Sequence, residues 1–315
     1  MNPLQQPIQS RFNASSTASE VAAGHQLHGK NVVVTGGSAG IGFEIVQTLS
    51  RTGANVVVGA RNAAKANEKL AGMPNVSFIP LDLADPASVD AFAHQYLATQ
   101  QPLHFLFNNA GVFFPPERKK DMRGYELQFG ANHLGHFQLT GLLWPALKNA
   151  GGAKVISHSS VGHRRMGLQL DDPNFEQHPY DPMKAYAQSK TANALFAVHL
   201  NRLGQSHRVS AYSVHPGAIL TDVVLNLTDE ELEAWKQRVK TFKSAAQGAA
   251  TAVWCALGDE LNGIGGVYCE DCNIAPFVPD DPTIVYGVRA YAADAASAAE
   301  LWQFSENATG IKWPS

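Results

Sequence analysis

Between residues 31 and 214 the chain keeps returning to one pattern, a short run of Val, Ile, Leu and Phe followed by a longer stretch with helical spacing. The runs at 31–35, 55–59, 76–79, 103–107, 154–157 and 209–214 show no polar alternation, so each reads as a strand buried on both faces. Helices are predicted over 41–51, 63–70, 86–99, 122–148, 182–203 and 247–257. Two-sided burial alternating with helices leaves one architecture, α/β with a single doubly wound parallel sheet and helices on both faces. No solenoid-period repeat or linker divides the chain. A single domain is therefore expected over 28–315, preceded by an arm at 1–27 rich in Ser, Ala, Gln and Asn.

Ligands of such a sheet bind beyond the carboxyl ends of its strands, which fixes where to look for chemistry. After the first strand comes TGGSAGIG at 35–42. Its glycines remove the Cβ atoms that would keep a bulky anion away from the N–H groups of the following helix, so Gly36, Ser38, Gly40, Ile41 and Gly42 are expected to cradle phosphate. The spacing is G-x-x-x-G-x-G, not the commoner G-x-G-x-x-G. After the second strand, Arg61 stands where a site preferring NAD would carry an acid, and its cation suits a 2′-phosphate. Asp82 and Leu83 follow the third strand, where a short acceptor can meet an adenine amine. The fourth ends in Asn108, Asn109, Ala110 and Gly111, amides and small residues that leave room for a flat ring. The fifth ends in a run, Ser157 to Ser160, from which a hydroxyl can hold a carbonyl oxygen. Tyr186 and Lys190 then lie four apart on a helix, and a neighbouring ammonium favours phenolate, making Tyr186 a candidate acid/base with a lowered pKa.

Taken in order, TGGSAGIG at 35–42, NNAG at 108–111, Asn132 in ANHLGHF, Ser160 closing ISHSS, YAQSK at 186–190 and Pro216-Gly217 in HPGAILT resemble the short-chain dehydrogenase/reductase family over residues 27–268, most of the chain. NHLGHF, SSVGH and YxxSKxAN are most similar to its retinol-dehydrogenase-like and WW-domain-oxidoreductase-like branch, although no WW domain precedes them. The resemblance implies a Rossmann-type fold and an NADP(H)-dependent oxidoreductase that interconverts a carbonyl compound and its alcohol. It also implies roles. Tyr186 would exchange the proton with the carbonyl oxygen, Lys190 would depress the phenol pKa and hold the nicotinamide ribose, and Ser160 would orient the carbonyl. Asn132 would fix a water that relays protons from Lys190, while Pro216, Gly217 and Thr221 would flank the carboxamide. Hydride comes from the cofactor, and the protein supplies position. One departure is that Ser160 and Tyr186 stand 26 positions apart, roughly twice the common separation, so 161–182 reads as an insertion beside the substrate pocket. This leaves Ser159 as a competitor to Ser160. A substrate lid is expected at 220–245, with Leu225, Leu227 and Trp235 lining an apolar pocket, and the substrate is expected to be hydrophobic. A rival reading is a dinucleotide-sensing regulatory protein without turnover, for which a perturbed phenol would have no use.

Composition removes other classes. A net charge of −3 offers no basic excess for a phosphate backbone, so nucleic-acid binding is excluded. The longest apolar runs fall short of a membrane span, residues 1–27 lack the charged start and apolar centre of a secretory signal, and three cysteines suit a reducing compartment, so a cytoplasmic location is expected. No metal site is expected. Cys269-x-x-Cys272 has no second pair, and His133 and His136 lack a third ligand, so those histidines read as packed side chains. His158, His163, Arg164 and Arg165 read as a solvated loop near the site, Asp171-Asp172 as a turn, and 229–233 as the acidic start of a surface helix. By resemblance, dimers or tetramers form through the long helices, and 280–315 either adds contacts or covers the site.

Overall fold

A computed structural model describes residues 2–219, 230, 232–233, 237, 239, 241–281 and 283–313. Seven parallel strands, β1 (Asn31–Thr35), β2 (Asn55–Ala60), β3 (Val76–Pro80), β4 (Phe105–Asn108), β5 (Ala153–His158), β6 (Val209–His215) and β7 (Val267–Glu270), lie in the order 3-2-1-4-5-6-7, and β8 (Asn273–Ile274) adds an antiparallel edge. The strand order reverses at β1, which pairs with β2 on one side and β4 on the other. At that switch point the crossovers leave in opposite directions and open a crevice at the carboxyl edge.

Before β1 comes a short helix α1 (Ala18–Val21), and after it α2 (Gly40–Arg51), α3 (Ala63–Leu70) and α4 (Pro86–Leu97). The helix expected over 122–148 is in fact a series. It starts at α5 (Leu127–Phe129), passes through a π-helical turn at Gly130–Leu134, continues as α6 (Gly135–Leu142) and restarts as α7 (Trp144–Asn149). Pro145 accounts for the restart, because it has no N–H to donate to the preceding turn. Residues 120–126 instead form a turn, closed by the Lys120–Glu126 bridge. The remaining helices are α8 (Pro182–Gly204), α9 (Ala245–Leu257) and α10 (Ala295–Thr309), the last of which the apolar pattern did not reveal. A further two-stranded sheet joins β9 (Phe277–Val278) to β10 (Val288–Arg289). Among the described residues no helix is long and apolar enough to cross a membrane.

The amino-terminal arm is fixed to the sheet rather than extended from it. The buried Gln5 amide donates to the carbonyls of Tyr268 (2.9 Å) and Ala275 (2.6 Å) and accepts from Tyr268 N (2.8 Å). Asn273 exchanges two hydrogen bonds with Ile8. At the other end of the chain α10 lies along α8 and brings Trp302 into an aromatic cluster. Its ring stacks on Phe196 and His199 and meets Phe137 and Trp313 at steep angles. Thus α10 occupies a face of α6 and α8, the long helices through which an association with a second copy was expected. Replacing Trp302 by Ala, which empties a site 6% exposed, is expected to cost about 3–5 kcal/mol in urea denaturation. A loss below about 1 kcal/mol would mean that α10 is not part of the cooperative core.

Candidate active site

The phosphate turn is built by omission. Gly36 has φ +68°, and a Cβ there would come within 3.0 Å of Ala110 Cα, so the β1 turn and the β4 turn pack backbone to backbone. A Cβ at Gly42 would strike the Gly36 carbonyl. Helix α2 begins at Ala39 with no side chain capping it, whereas Asn62, Asp85, Asp181, Ser244 and Asp294 cap α3, α4, α8, α9 and α10. Its first N–H groups, at Gly40, Ile41 and Gly42, are therefore left for an anion, which fits the pyrophosphate of a dinucleotide. Ser38 lies in the same turn. Arg61, at the carboxyl end of β2, is exposed and engages no acidic side chain among the described residues. The Asp82 carboxylate accepts from Ala84 N at 3.0 Å, which holds the turn after β3, while Leu83 is buried beneath α6.

Thr35 ties the two turns together. Its hydroxyl accepts from Asn109 N (2.9 Å) and Ala110 N (3.0 Å), and its carbonyl accepts from Asn109 Nδ2 (2.8 Å). Gly111 lies close to the Asn132 amide and the Lys190 ammonium. At the end of β6, Pro216 and Gly217 turn beneath the alkyl chain of Lys243. Thr221 and the lid candidates Leu225, Leu227 and Trp235 lie outside the described residues.

Tyr186 and Lys190 come from one face of α8, as their spacing predicts. The ammonium lies 5.4 Å from the centre of the phenol ring and donates to the His158 carbonyl at 2.9 Å. The two serines part company at the end of β5. Ser159 turns inward and donates to the Lys190 carbonyl (2.7 Å), whereas Ser160 caps the short helix at 161–165 and lies with the Tyr186 ring over Gly162. That separation favours Ser160 as the hydroxyl facing a substrate. The expected depression of the phenol pKa is not what this environment produces. Burial pushes Tyr186 up to about 12, opposed by the Ser160 hydrogen bond, and burial brings Lys190 down to about 8. Desolvation dominates, with the Ser160 hydroxyl acting against it.

The Asn132 amide is fully engaged. It accepts from Val112 N (2.7 Å) and donates to Val112 O and Ser189 Oγ (3.0 Å each). It clamps the loop after β4 to α8, which leaves no polar atom of the side chain without a protein partner. Residues 161–165 are also not the solvated loop expected. His163 is fully buried and bonded to the Ser160 carbonyl, His158 is 4% exposed, and Arg164 donates to the Gly287 carbonyl and pairs with Glu270. Only Arg165 is exposed. The three cysteines are buried and free, Asp271-Cys272 forms the turn between β7 and β8, and no three His, Cys, Asp or Glu side chains gather among the described residues.

Two side chains beside the phenol were missed. Phe113 and Phe114 stack at 3.9 Å and stand edge-on to Tyr186 at 4.8 and 5.5 Å. Phe114 has φ +47°, with its N–H donating to Gln128 Oε1 at 3.0 Å. An adjacent aromatic pair after NNAG was the available signal. Its left-handed backbone was not legible.

Comparison with known proteins agrees with this geometry. Residues 30–232 match the short chain dehydrogenase family. Retinol dehydrogenase 12 of Mus musculus is 37% identical over 294 residues, covering 91% of this chain and 89% of that protein. The WW domain-containing oxidoreductase of Gallus gallus is 34% identical over 321 residues, 97% of this chain and 74% of that one. Among solved structures, an uncharacterized protein from Mycobacterium paratuberculosis superimposes with a TM-score of 0.75 at 29% identity, covering 96% of this chain and all of that one. The chain therefore belongs to the short-chain dehydrogenase family of oxidoreductases, on the branch that holds retinol dehydrogenase 12 and the WW domain-containing oxidoreductase.

Proposed function

We propose that this protein is an NADP(H)-dependent oxidoreductase that interconverts a carbonyl compound and its alcohol, with Tyr186 as acid/base, Ser160 orienting the carbonyl, Lys190 binding the ribose and Asn132 bracing the site. The observation that carries the reading is the convergence of the Ser160 and Tyr186 side chains over Gly162, where a Cβ would lie 3.0 Å from the phenol ring and 3.4 Å from Ser160 Oγ, beside the buried Lys190. Two hydroxyls converging on one point can both donate to a single carbonyl oxygen. When bound, the nicotinamide supplies or accepts the hydride. The chain's own part is to hold the carbonyl against Ser160, deliver the phenol proton to its oxygen, and exclude water.

The raised phenol pKa gives the pH dependence a sign. A group at about 12 is protonated at neutral pH and ready to donate, as reduction requires. Oxidation needs the deprotonated form, and its fraction rises with pH. Phe113 and Phe114 beside the phenol support an apolar substrate. Because α10 sits on α6 and α8, a second copy would have to use another face of those helices. For the cofactor, Arg61 supports NADP(H), since an exposed guanidinium at the end of β2 can take a 2′-phosphate bidentately.

Three outcomes test this reading. In NADPH-oxidation assays with a panel of aldehydes and ketones, wild-type protein is expected to turn over, while Tyr186→Phe binds NADPH with unchanged affinity and is nearly inactive; equal rates would reject Tyr186 as the acid/base, and no turnover by either protein would leave only dinucleotide binding. For wild type, kcat/KM for carbonyl reduction should stay flat through the neutral range, whereas that for alcohol oxidation should climb with pH. An oxidation rate that falls as pH rises would contradict the assignment. Fluorescence titration of Arg61→Ala should show NADPH affinity reduced by roughly ten- to a hundredfold with NADH affinity unchanged, matching the loss of one charge-assisted contact of about 1.5–3 kcal/mol. Equal losses for both cofactors would remove Arg61 from phosphate recognition.

A further inference from the structure

His136 belongs to none of the roles given so far, yet it is 2% exposed and both of its ring nitrogens have partners. Nδ1 lies 2.9 Å from the Asn132 carbonyl, and Nε2 lies 2.9 Å from Thr35 Oγ1. A carbonyl oxygen can only accept, so Nδ1 carries the proton. Burial, with the Lys190 charge acting in the same direction, brings the imidazole pKa down to about 4, so the ring is neutral and Nε2 is bare. The Thr35 hydroxyl therefore donates to Nε2.

That assignment completes the bonding of Thr35. With its proton on His136, both lone pairs of Oγ1 are available, and they accept the N–H groups of Asn109 and Ala110. The other acceptor within reach, the Phe107 carbonyl, is farther away at 3.3 Å. Thr35 leads directly into Gly36, and Asn132 holds Val112 on one side and Ser189, next to Lys190, on the other. The imidazole is the point where the phosphate turn, the ring-binding turn and the catalytic helix are joined. The π-helical turn at Gly130–Leu134 contains the Asn132 carbonyl that receives its proton.

The geometry points to His136 as a positioning residue for cofactor binding. In its neutral Nδ1–H form it fixes the Thr35 hydroxyl so that the turns at 35–42 and 108–111 hold one spacing, against a helix turn anchored at Asn132. This rests on the reading of the crevice as a nicotinamide-dinucleotide site. Any buried histidine needs partners for both ring nitrogens, and the mark of this one is that its partners are the hydroxyl joining the two turns and the carbonyl of the residue clamping the β4 loop to α8.

The two bonds can be removed separately. His136→Asn keeps a donor near the Nδ1 position for Asn132 but has nothing to offer Thr35. His136→Gln places an amide oxygen near the Nε2 position for Thr35 and gives up Asn132, and His136→Phe removes both. By fluorescence titration the NADPH Kd is expected to rise about tenfold in His136→Asn and His136→Phe and to stay within about threefold in His136→Gln, the size of one hydrogen bond. In all three, kcat at saturating NADPH should change less than about threefold, since the Tyr186, Ser160 and Lys190 groups are untouched. Adding His136→Asn to Thr35→Val should weaken binding no further than Thr35→Val alone. An unchanged Kd in every variant, or additive losses in the double variant, would overturn the proposal. Should a variant fail to fold, nitrogen-15 NMR of histidine-labelled wild-type protein at neutral pH still decides it, because the two ring nitrogens report their protons directly. Protonated Nδ1 with bare Nε2 is expected for His136, and the opposite tautomer refutes the assignment. Wild-type protein that binds neither NADPH nor NADH would overturn both the function and the positioning role, whereas wild-type binding with equal affinity in all variants removes the positioning role alone.

Discussion

A lysine ammonium with 4% of its surface exposed has to be held by the protein, and here the His158 carbonyl at the end of β5 holds it. That hydrogen bond fixes the distance between α8 and the sheet edge. A second one from Asn193 to the same carbonyl, and that from Ser159 to the Lys190 backbone, make the joint a three-point attachment. Everything chemically active nearby inherits its place from this joint. Ser160 is one residue beyond it on the strand side and Tyr186 is one helical turn before it on the helix side. Their side chains lie over Gly162 together because both elements are pinned at the same level.

Burial of the cation also sets the electrostatics. A nearby ammonium is usually taken to lower a tyrosine pKa, but when both groups are desolvated the burial penalty falls on each charged form, and Lys190 and Tyr186 shift toward neutrality together. A phenol kept protonated beside a lysine that titrates near 8 favours proton donation at neutral pH. The resting protein thus stands on the acid side.

The sequence carried the parallel sheet and the placement of Tyr186 and Lys190 on one helix face, because each rests on a local period or a short motif. What it did not carry depends on tertiary environment. The direction of the Tyr186 shift depends on how much protein surrounds the phenol, and the π-helical turn at Asn132 has no propensity signature. Arg164 reads as solvated in a basic loop until Glu270 and the Gly287 carbonyl, more than a hundred residues away, are folded against it. Helix α10 escaped notice because its apolar residues, Leu301 and Trp302 among many alanines, show a weak stripe and gain their meaning only from Phe137 and Phe196. The choice between Ser159 and Ser160 was open for the same reason. Alternate residues of a strand end point to opposite faces, and only the position of α8 says which face is the site.

The proposed activity requires one arrangement, in which a carbonyl oxygen would sit between the Tyr186 phenol and the Ser160 hydroxyl at the mouth of the crevice at the carboxyl edge of the sheet. A crystal structure of the protein with NADPH and a non-reacting ketone analogue tests it most directly. The expected result is a ligand oxygen within hydrogen-bond distance of both hydroxyls, with the dinucleotide phosphates on the N–H groups at the start of α2. A ligand bound elsewhere, or a dinucleotide whose nicotinamide lies away from Tyr186, would contradict it.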